Sequence, residues 1–420
     1  MDRLIINPSR LSGEVRISGA KNSSLRLLAA SLLTSETVHL TNYPSSLLDA
    51  QLHVEMLEAL GKRCKLIGEN EIEISEFCSP QSELIWEKRS IRNTLLILGA
   101  LTARTGRGKV PLPGGCKLGD RKHDIHIMVL ETLGARVWEE DNYLCAEAAG
   151  HRKLQGSDIF LPLRSTGATE NSLLMACLAE GTSRIWGPHI RPEILDLISF
   201  LRKLGAEIEV RGQESIVVTG IRDPGGATHE VIADNIEALT WLIGAAVTAE
   251  DVEIVDFPFE HLEVPLIHLR ESGVRFYRLN NRLIVRGSRC YPVDISTGPY
   301  PGINSDMQPL FAVFGAVAKG ESRIIDLRFP GRYAYAEELA KMGMKYQTKD
   351  NLLIIEGGQP LRGAEVEALD LRAGAALMIA GLIADAPTTI NRAWQIFRGY
   401  DQLEKKLAQL GAKVSSEVLV

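Results

Sequence analysis

The stretch PLPGGCKLGDRKHDIHI, residues 111–127, sets Cys116 behind Gly114 and Gly115 and ahead of Arg121, Lys122, His123 and Asp124. Positive neighbours lower a thiol's pKa, and the thiolate is the reactive form. Such a loop can supply a nucleophile or an acidic proton donor. The competing reading is a small buried hydrophobe, the one that fits Cys177 in LLMACLAEG. No His–Asn or His–Asp pattern can be tied to Cys116, so a triad does not follow. Asp306, in NSDMQ, is a candidate general base. Ser305 and Gln308 stand around it at capping-box spacing, under which Asp306 would only complement a helix dipole. The residues alone leave both readings open.

Anion-binding candidates accompany these two. Lys21 and Asn22 open one helical pattern, Arg121 sits just before another, and Arg372 lies in the first turn of a third. Helix N-termini carry partial positive charge and unpaired N–H groups, which attract phosphates and carboxylates. Taken singly, Asn22, Asp124 and Asp370 read equally well as caps. Three cations at corresponding ends of repeated segments read better as an anion-binding cleft. Arg92, Arg332 and Arg398 are further candidate clamps, because guanidinium forks bind carboxylate and phosphate through two prongs. Arg398 stands beside Gly399, ahead of the helical pattern in DQLEKKL. No P-loop and no dinucleotide fingerprint is present.

The elements that must position these residues repeat. Glycines at 61, 134, 205, 273, 343 and 411 each follow a helical pattern and precede an alternating strand, 68 to 73 residues apart. That is the pattern of a C-capping glycine leading into a strand. A period this even predicts one supersecondary unit used six times. Each unit opens on a short strand, a turn and a helix, as in VRISGAKNSSLRLLAASLL, IFLPLRSTGATENSLLMACLA and EVIADNIEALTWLIGAAV. A second short strand and a second helix follow, so the unit is close to β-α-β-α-β-β. The expected fold is α/β in two lobes of three units, with sheets outside and helices inward.

The bulk properties narrow the class. The 420 residues exceed one ordinary core. The net charge of −6, with both signs interspersed, leaves no basic field for nucleic acid. MDRLIINPSR lacks the apolar core of a signal peptide, and runs such as AALMIAGLIADA are too short to span a membrane. Six cysteines without CxxC spacing argue against zinc and against a disulfide framework. The expectation is a soluble cytoplasmic protein; a monomer fits, and the sequence does not fix the oligomeric state.

The motifs SGAKNSS, LPGGCKLGDRKHDIHI, TGATEN, SDMQ, DLRAGAAL and FRGYDQLEKKLAQLGA together resemble the UDP-N-acetylglucosamine 1-carboxyvinyltransferase (enolpyruvyl transferase) family, essentially end to end. The resemblance implies two inside-out α/β domains of three βαβαββ units each. One would span 22–230 with the cysteine loop, and the other would combine 1–21 with 231–420, with the active site in the cleft between them. It implies transfer of the enolpyruvyl group of phosphoenolpyruvate to a sugar 3-hydroxyl with release of phosphate, as in peptidoglycan precursor synthesis, with no metal or organic cofactor. Cys116 would donate the proton and be open to alkylation by fosfomycin, and Asp306 would be the acceptor-hydroxyl base. Lys21, Arg121 and Arg398 would hold the phosphoenolpyruvate, chiefly its phosphate. Arg332 and Arg372 would face its carboxylate, with Arg92 nearby. Asn22 would touch the sugar. Arg121 to Asp124, with Arg164, Ser165, Thr166 and Gly167, would line the uridine-diphosphate pocket, and Arg328 and Asp370 belong to the same substrate-binding set.

The match departs from the family in the acceptor pocket. A Pro-Val pair is replaced by Lys122 and His123, an arginine by Asn235, and a Glu-Asn pair by Pro330 and Gly331. These changes keep a second reading open: an enolpyruvyl transferase for another uridine nucleotide, such as UMP, in specialised metabolism. The shikimate-pathway synthase ranks lower, because its lysine motif differs and it lacks this cysteine loop. A degenerate paralogue that only binds nucleotide is disfavoured by the intact Lys21, Cys116, Asp306 and Arg398.

Overall fold

In the computed structural model of the chain, residues 2–113, 123–151, 153–248, 250–287 and 289–418 are described. The six repeat glycines all take positive φ, from +79° at Gly411 to +107° at Gly205, the left-handed conformation that ends a helix cheaply only at glycine. The helix Pro192–Lys203 illustrates the local logic. Proline stands in its first turn, Arg202 and Lys203 in its last, and Ile194, Leu197, Ile198, Phe200 and Leu201 are buried.

Among the described residues the strands form six sheets, one per repeat. The unit containing Asp306 shows the plan. Strand Asp294–Ser296, helix Gln308–Val317, strand Glu321–Ile325, helix Ala334–Lys341 and the hairpin strands Lys345–Lys349 and Leu352–Glu356 follow in order. The first two strands pair in parallel, and the hairpin joins antiparallel through its second strand. The first helix of the repeat is the interior one. Asn235–Thr248 and Leu371–Leu382 are buried at every residue, as a helix apolar on all sides must be.

Contacts divide the chain into two units. One comprises 1–18, 46–48 and 233–420, the other 19–45 and 49–232. The first unit has one continuous apolar core, from Leu4 and Trp241 through Phe311 to Leu410. The second buries its own set, including Leu28, Leu98, Leu174 and Phe200.

The repeat openings need one correction. Two of them join a strand and a helix that the structure assigns to different units. Gly13–Arg16 pairs in parallel with Val252–Val255, whereas the helix that follows it, Lys21–Ala30, belongs to the second unit. Ala227–Glu230 pairs in parallel with Val38–Thr41, whereas the next helix, Asn235–Thr248, belongs to the first. Each unit therefore takes an edge strand from one stretch of chain and the matching helix from another. Close packing fixes the first passage, where a Cβ on Gly19 would stand 1.9 Å from the Asn42 carbonyl oxygen. The N-terminal strand Arg3–Ile6 is likewise inserted between Thr388–Asn391 and Val414–Glu417.

Candidate active site

In the first unit, Asp306 lies just before the helix Gln308–Val317 and is half-buried. Arg332 Nη1 donates to Asp306 Oδ1 at 2.9 Å and to Ser305 Oγ at 3.1 Å, and Nη2 donates to Asp370 Oδ2 at 3.3 Å. The other oxygen of Asp370 caps the helix Leu371–Leu382, accepting from the backbone N–H of Arg372 at 2.7 Å and of Ala373 at 2.9 Å. Arg372 is 1% exposed. Its Nε is 3.7 Å from Asp306 Oδ2, and its guanidinium lies 5.4 Å from the Tyr400 ring centroid. Tyr400 in turn meets Thr240 Oγ1 at 2.9 Å. Burial opposes charge on both arginines; Asp306 and then Asp370 more than offset it for Arg332, and Tyr400 and then Asp306 for Arg372, so both stay firmly protonated.

Arg372 Nε and Nη1 and Arg332 Nε are buried with no hydrogen-bond partner among the described residues. Buried N–H donors normally carry partners. The cluster therefore has more donors than its two carboxylates satisfy, which suits a carboxylate or phosphate ligand. Gly399 keeps the approach to Arg372 close, since a Cβ there would stand 2.3 Å from Leu371 Cδ1.

Two expectations about this cluster fail. The capping box at Ser305 and Gln308 does not form. The helix begins at Gln308 with Met307 as an uncapped N-cap, and both side chains donate to Asp326 instead, at 2.5 and 3.0 Å. Arg398 does not precede a helix start but is the C-cap of the short helix Trp394–Phe397. The next helix opens only at Leu403, after Gln402 takes φ +49°. Arg398 is buried, donates to Gln395 Oε1 at 2.8 Å and lies 5.9 Å from the Trp394 ring. Arg328 is exposed over the Phe329 ring.

In the second unit, Lys21 is the first residue of its helix, whose N-cap Ala20 offers no side-chain cap. Lys21 Nζ pairs with Asp49 Oδ2 at 3.0 Å, and Arg89 holds Asp49 Oδ1 at 2.7 Å. Asn22 is half-buried in the same first turn. Arg92, also half-buried, lies close enough to His126 to help depress it. Asp124 is exposed at the start of the helix Asp124–Thr132, which His123 precedes without a side-chain cap. His123 instead meets Glu139 at 3.0 Å. Ser165 caps the helix Thr166–Ala176, and Thr166 bonds His189 at 2.8 Å. Gly167 packs on His126, where a Cβ would meet the ring at 3.1 Å. Arg164 is exposed. Cys116, Arg121 and Lys122, with Gly114 and Gly115, lie outside the described residues.

The interior of this unit carries three matching polar contacts. Ser23, Asn93 and Asn171, from successive first helices or their caps, meet Asp196, His53 and His126 on second helices. His53 and His126 are both pushed down to about 3, by burial first and by Arg26 and Arg92 respectively. Both are therefore neutral near pH 7. Among the described residues no group of three or more His, Cys, Asp or Glu could hold a metal ion, and no helix is long and apolar enough to cross a membrane.

The sequence reading missed Asp49, Asp326 and Tyr400. Asp49 reads as an ordinary first-turn carboxylate of the helix Leu48–Ala59, and only the fold brings it to Lys21.

Comparison with known proteins agrees with this architecture. The family model for EPSP synthase (3-phosphoshikimate 1-carboxyvinyltransferase) matches residues 5–407. A UDP-N-acetylglucosamine 1-carboxyvinyltransferase from Caulobacter sp. (strain K31) is 39% identical, covering 99% of this chain and 97% of that protein. A UDP-N-acetylglucosamine 1-carboxyvinyltransferase 2 from Carboxydothermus hydrogenoformans is 40% identical, covering 99% of both. The crystal structure of the enolpyruvyl transferase NikO from Streptomyces tendae superposes with a TM-score of 0.88 at 26% identity, over 99% of this chain and 98% of that one. The chain belongs to the EPSP synthase family of carboxyvinyltransferases and is an enzyme of that class.

Proposed function

We propose that the protein transfers the enolpyruvyl group of phosphoenolpyruvate to the 3-hydroxyl of UDP-N-acetylglucosamine, releasing phosphate, as a cytoplasmic step toward peptidoglycan. The observation that carries this reading is the near-full-length identity of 39–40% to relatives bearing that activity in their names. The chemistry requires a proton delivered to the methylene carbon of the enol and one removed from the attacking hydroxyl. Elimination of phosphate then reverses the flow. Cys116 is the proposed donor and Asp306 the proposed base.

The remaining roles follow from charge. Lys21, Arg121 and Arg398 hold the phosphoenolpyruvate, chiefly its phosphate. Arg332 and Arg372 hold its carboxylate, which supplies acceptors for their unmatched N–H groups, and Arg92 stands near it. Asp370 and Arg328 complete this set, Asp370 by fixing Arg332 and the helix that carries Arg372. Asn22 contacts the sugar, and Asp124 with Arg164, Ser165, Thr166 and Gly167 receives the nucleotide.

A second reading has support from one contact. His123 stands where the family pattern has an apolar residue and is engaged by Glu139, which favours a more polar nucleotide site and an acceptor such as UMP. Phosphate release from phosphoenolpyruvate, assayed with UDP-N-acetylglucosamine and with UMP, separates the two. Turnover with UMP alone removes the first reading.

A further inference from the structure

We infer that Asp326 is the positioning residue that sets the Asp306–Arg332 pair; this rests on the reading of that pair as base and carboxylate clamp. Asp326 follows the strand Glu321–Ile325 and is fully buried. Its Oδ1 accepts from Thr297 Oγ1 at 2.8 Å and from the backbone N–H of Arg328 at 2.8 Å and of Phe329 at 2.9 Å. Its Oδ2 accepts from Ser305 Oγ at 2.5 Å and Gln308 Nε2 at 3.0 Å. All five partners are uncharged donors, and among the described residues no cation forms an ion pair with it. Five donors converge on its two oxygens.

These donors come from the segments that carry the reactive cluster. Ser305 precedes Asp306, Gln308 opens the helix behind it, and Arg328 and Phe329 begin the loop that ends in Arg332. The same aspartate closes that loop from its other face: Asn351 donates to its carbonyl at 2.7 Å, and its N–H donates to the Tyr333 hydroxyl at 2.9 Å. The repeat supplies an independent contrast. The residue after the equivalent strand takes a left-handed φ in four of the six copies among the described residues: Asn42, Gly187, Asp256 and Arg392, between +50° and +66°. At Asp326 the backbone makes no such kink, and the side chain builds the connection instead.

The coupling runs through the Ser305 hydroxyl and, in parallel, through Gln308 Nε2, which donates to Asp326 Oδ2 and to the Arg332 carbonyl, both at 3.0 Å. Ser305 has a single O–H, which points to Asp326, so only its lone pairs face Arg332 Nη1 at 3.1 Å. An asparagine at 326 must turn its oxygen to the fixed N–H groups of Arg328 and Phe329. Its NH₂ then faces Ser305 and Gln308 Nε2, so Ser305 loses the acceptor of its proton and Gln308, which also donates to the Arg332 carbonyl, meets a donor. The Asp326→Asn exchange, close in shape, therefore disturbs both side chains that link residue 326 to Arg332.

The test compares the wild type with Asp326→Asn, Ser305→Ala and the double variant. Phosphate release gives kcat and the KM of each substrate, and the thermal shift produced by phosphoenolpyruvate is read with and without nucleotide. Loss of a hydrogen bond to a charged group is expected to raise the phosphoenolpyruvate KM about tenfold in either single variant. The nucleotide-sugar KM should stay within twofold, and the double variant should be no worse than Asp326→Asn. A fall in kcat that tracks the folded fraction with both KM values unchanged overturns the inference, as does an unchanged phosphoenolpyruvate KM in Ser305→Ala, which carries the test if Asp326→Asn does not fold. If the wild type releases no phosphate, the proposed function fails, and the thermal shift decides the inference alone: a smaller shift in the variants supports it, while an equal shift, or none in the wild type, ends it.

Discussion

Asp306 gives Oδ1 to Arg332 at 2.9 Å and presents Oδ2 at 3.7 Å from Arg372 Nε. One guanidinium thus holds the carboxylate by a direct hydrogen bond while the second flanks it beyond hydrogen-bond reach. Asp306→Asn keeps the shape and removes the proposed base. The expected result is a loss of roughly 10²–10⁴ in kcat, the scale of a positioned acid or base, with nucleotide binding by calorimetry unchanged.

Cys116 is predicted to act by donating a proton. Cys116→Asp should keep measurable phosphate release where Cys116→Ala has none above background, because an acid still stands where the proton is needed. Equal loss in both variants refutes the role. Intact mass spectrometry after incubation with fosfomycin and nucleotide should show one adduct on this residue.

Acid should weaken the fold through His53 and His126. Each has a folded pKa of about 3 against an unfolded value near 6.5. The unfolded chain therefore binds more protons once pH falls below about 6.5, and this stability is full above that value and lost toward pH 3. Each group contributes at most about 1.4 kcal/mol per pH unit. Urea denaturation at pH 7, 6 and 5 should show the decline, and His53→Gln should reduce its slope. An unchanged slope would show that the buried imidazoles are not its source.

Gly99 in the helix Thr94–Thr105 has no room for a methyl group: a Cβ there would stand 1.9 Å from Asn171 Oδ1. Asn171 cannot retreat without giving up its bond to His126. Gly99→Ala is expected to cost about 1–3 kcal/mol, read as a lower urea midpoint, although alanine is the better helix former.

Much of the architecture was legible because the C-capping glycine is a backbone requirement that sequence records directly. All six such glycines take the conformation their spacing implied. The crossing of the chain between units after Gly13–Arg16 and Ala227–Glu230 came only from the resemblance, whose bounds of 22–230 and of 1–21 with 231–420 imply it. The repeat pattern hid it, since nothing in VRISGAKNSS says that the strand stays behind when the helix crosses. Side-chain partners were hidden for a similar reason. Ser305 and Gln308 have capping-box spacing, but a buried carboxylate 18 to 21 residues away competes for both and wins. Arg398 was placed before a helix because DQLEKKL is helical in pattern, yet the turn at Gln402 delays the helix. The resemblance named Asp306, Arg332, Asp370 and Arg372 together, and the structure places them in contact; composition and period alone could not have selected them.

The strand Arg3–Ile6 pairs across a separation of 388 residues with the segment around Asn391. During synthesis it emerges well ahead of both partner strands, Thr388–Asn391 and Val414–Glu417, and stays unpaired on both edges until they follow. The residues of the second unit are all present once Ile232 has emerged. Translation thus favours an order of assembly in which that unit folds first and the other closes later, around a strand made long before its partners.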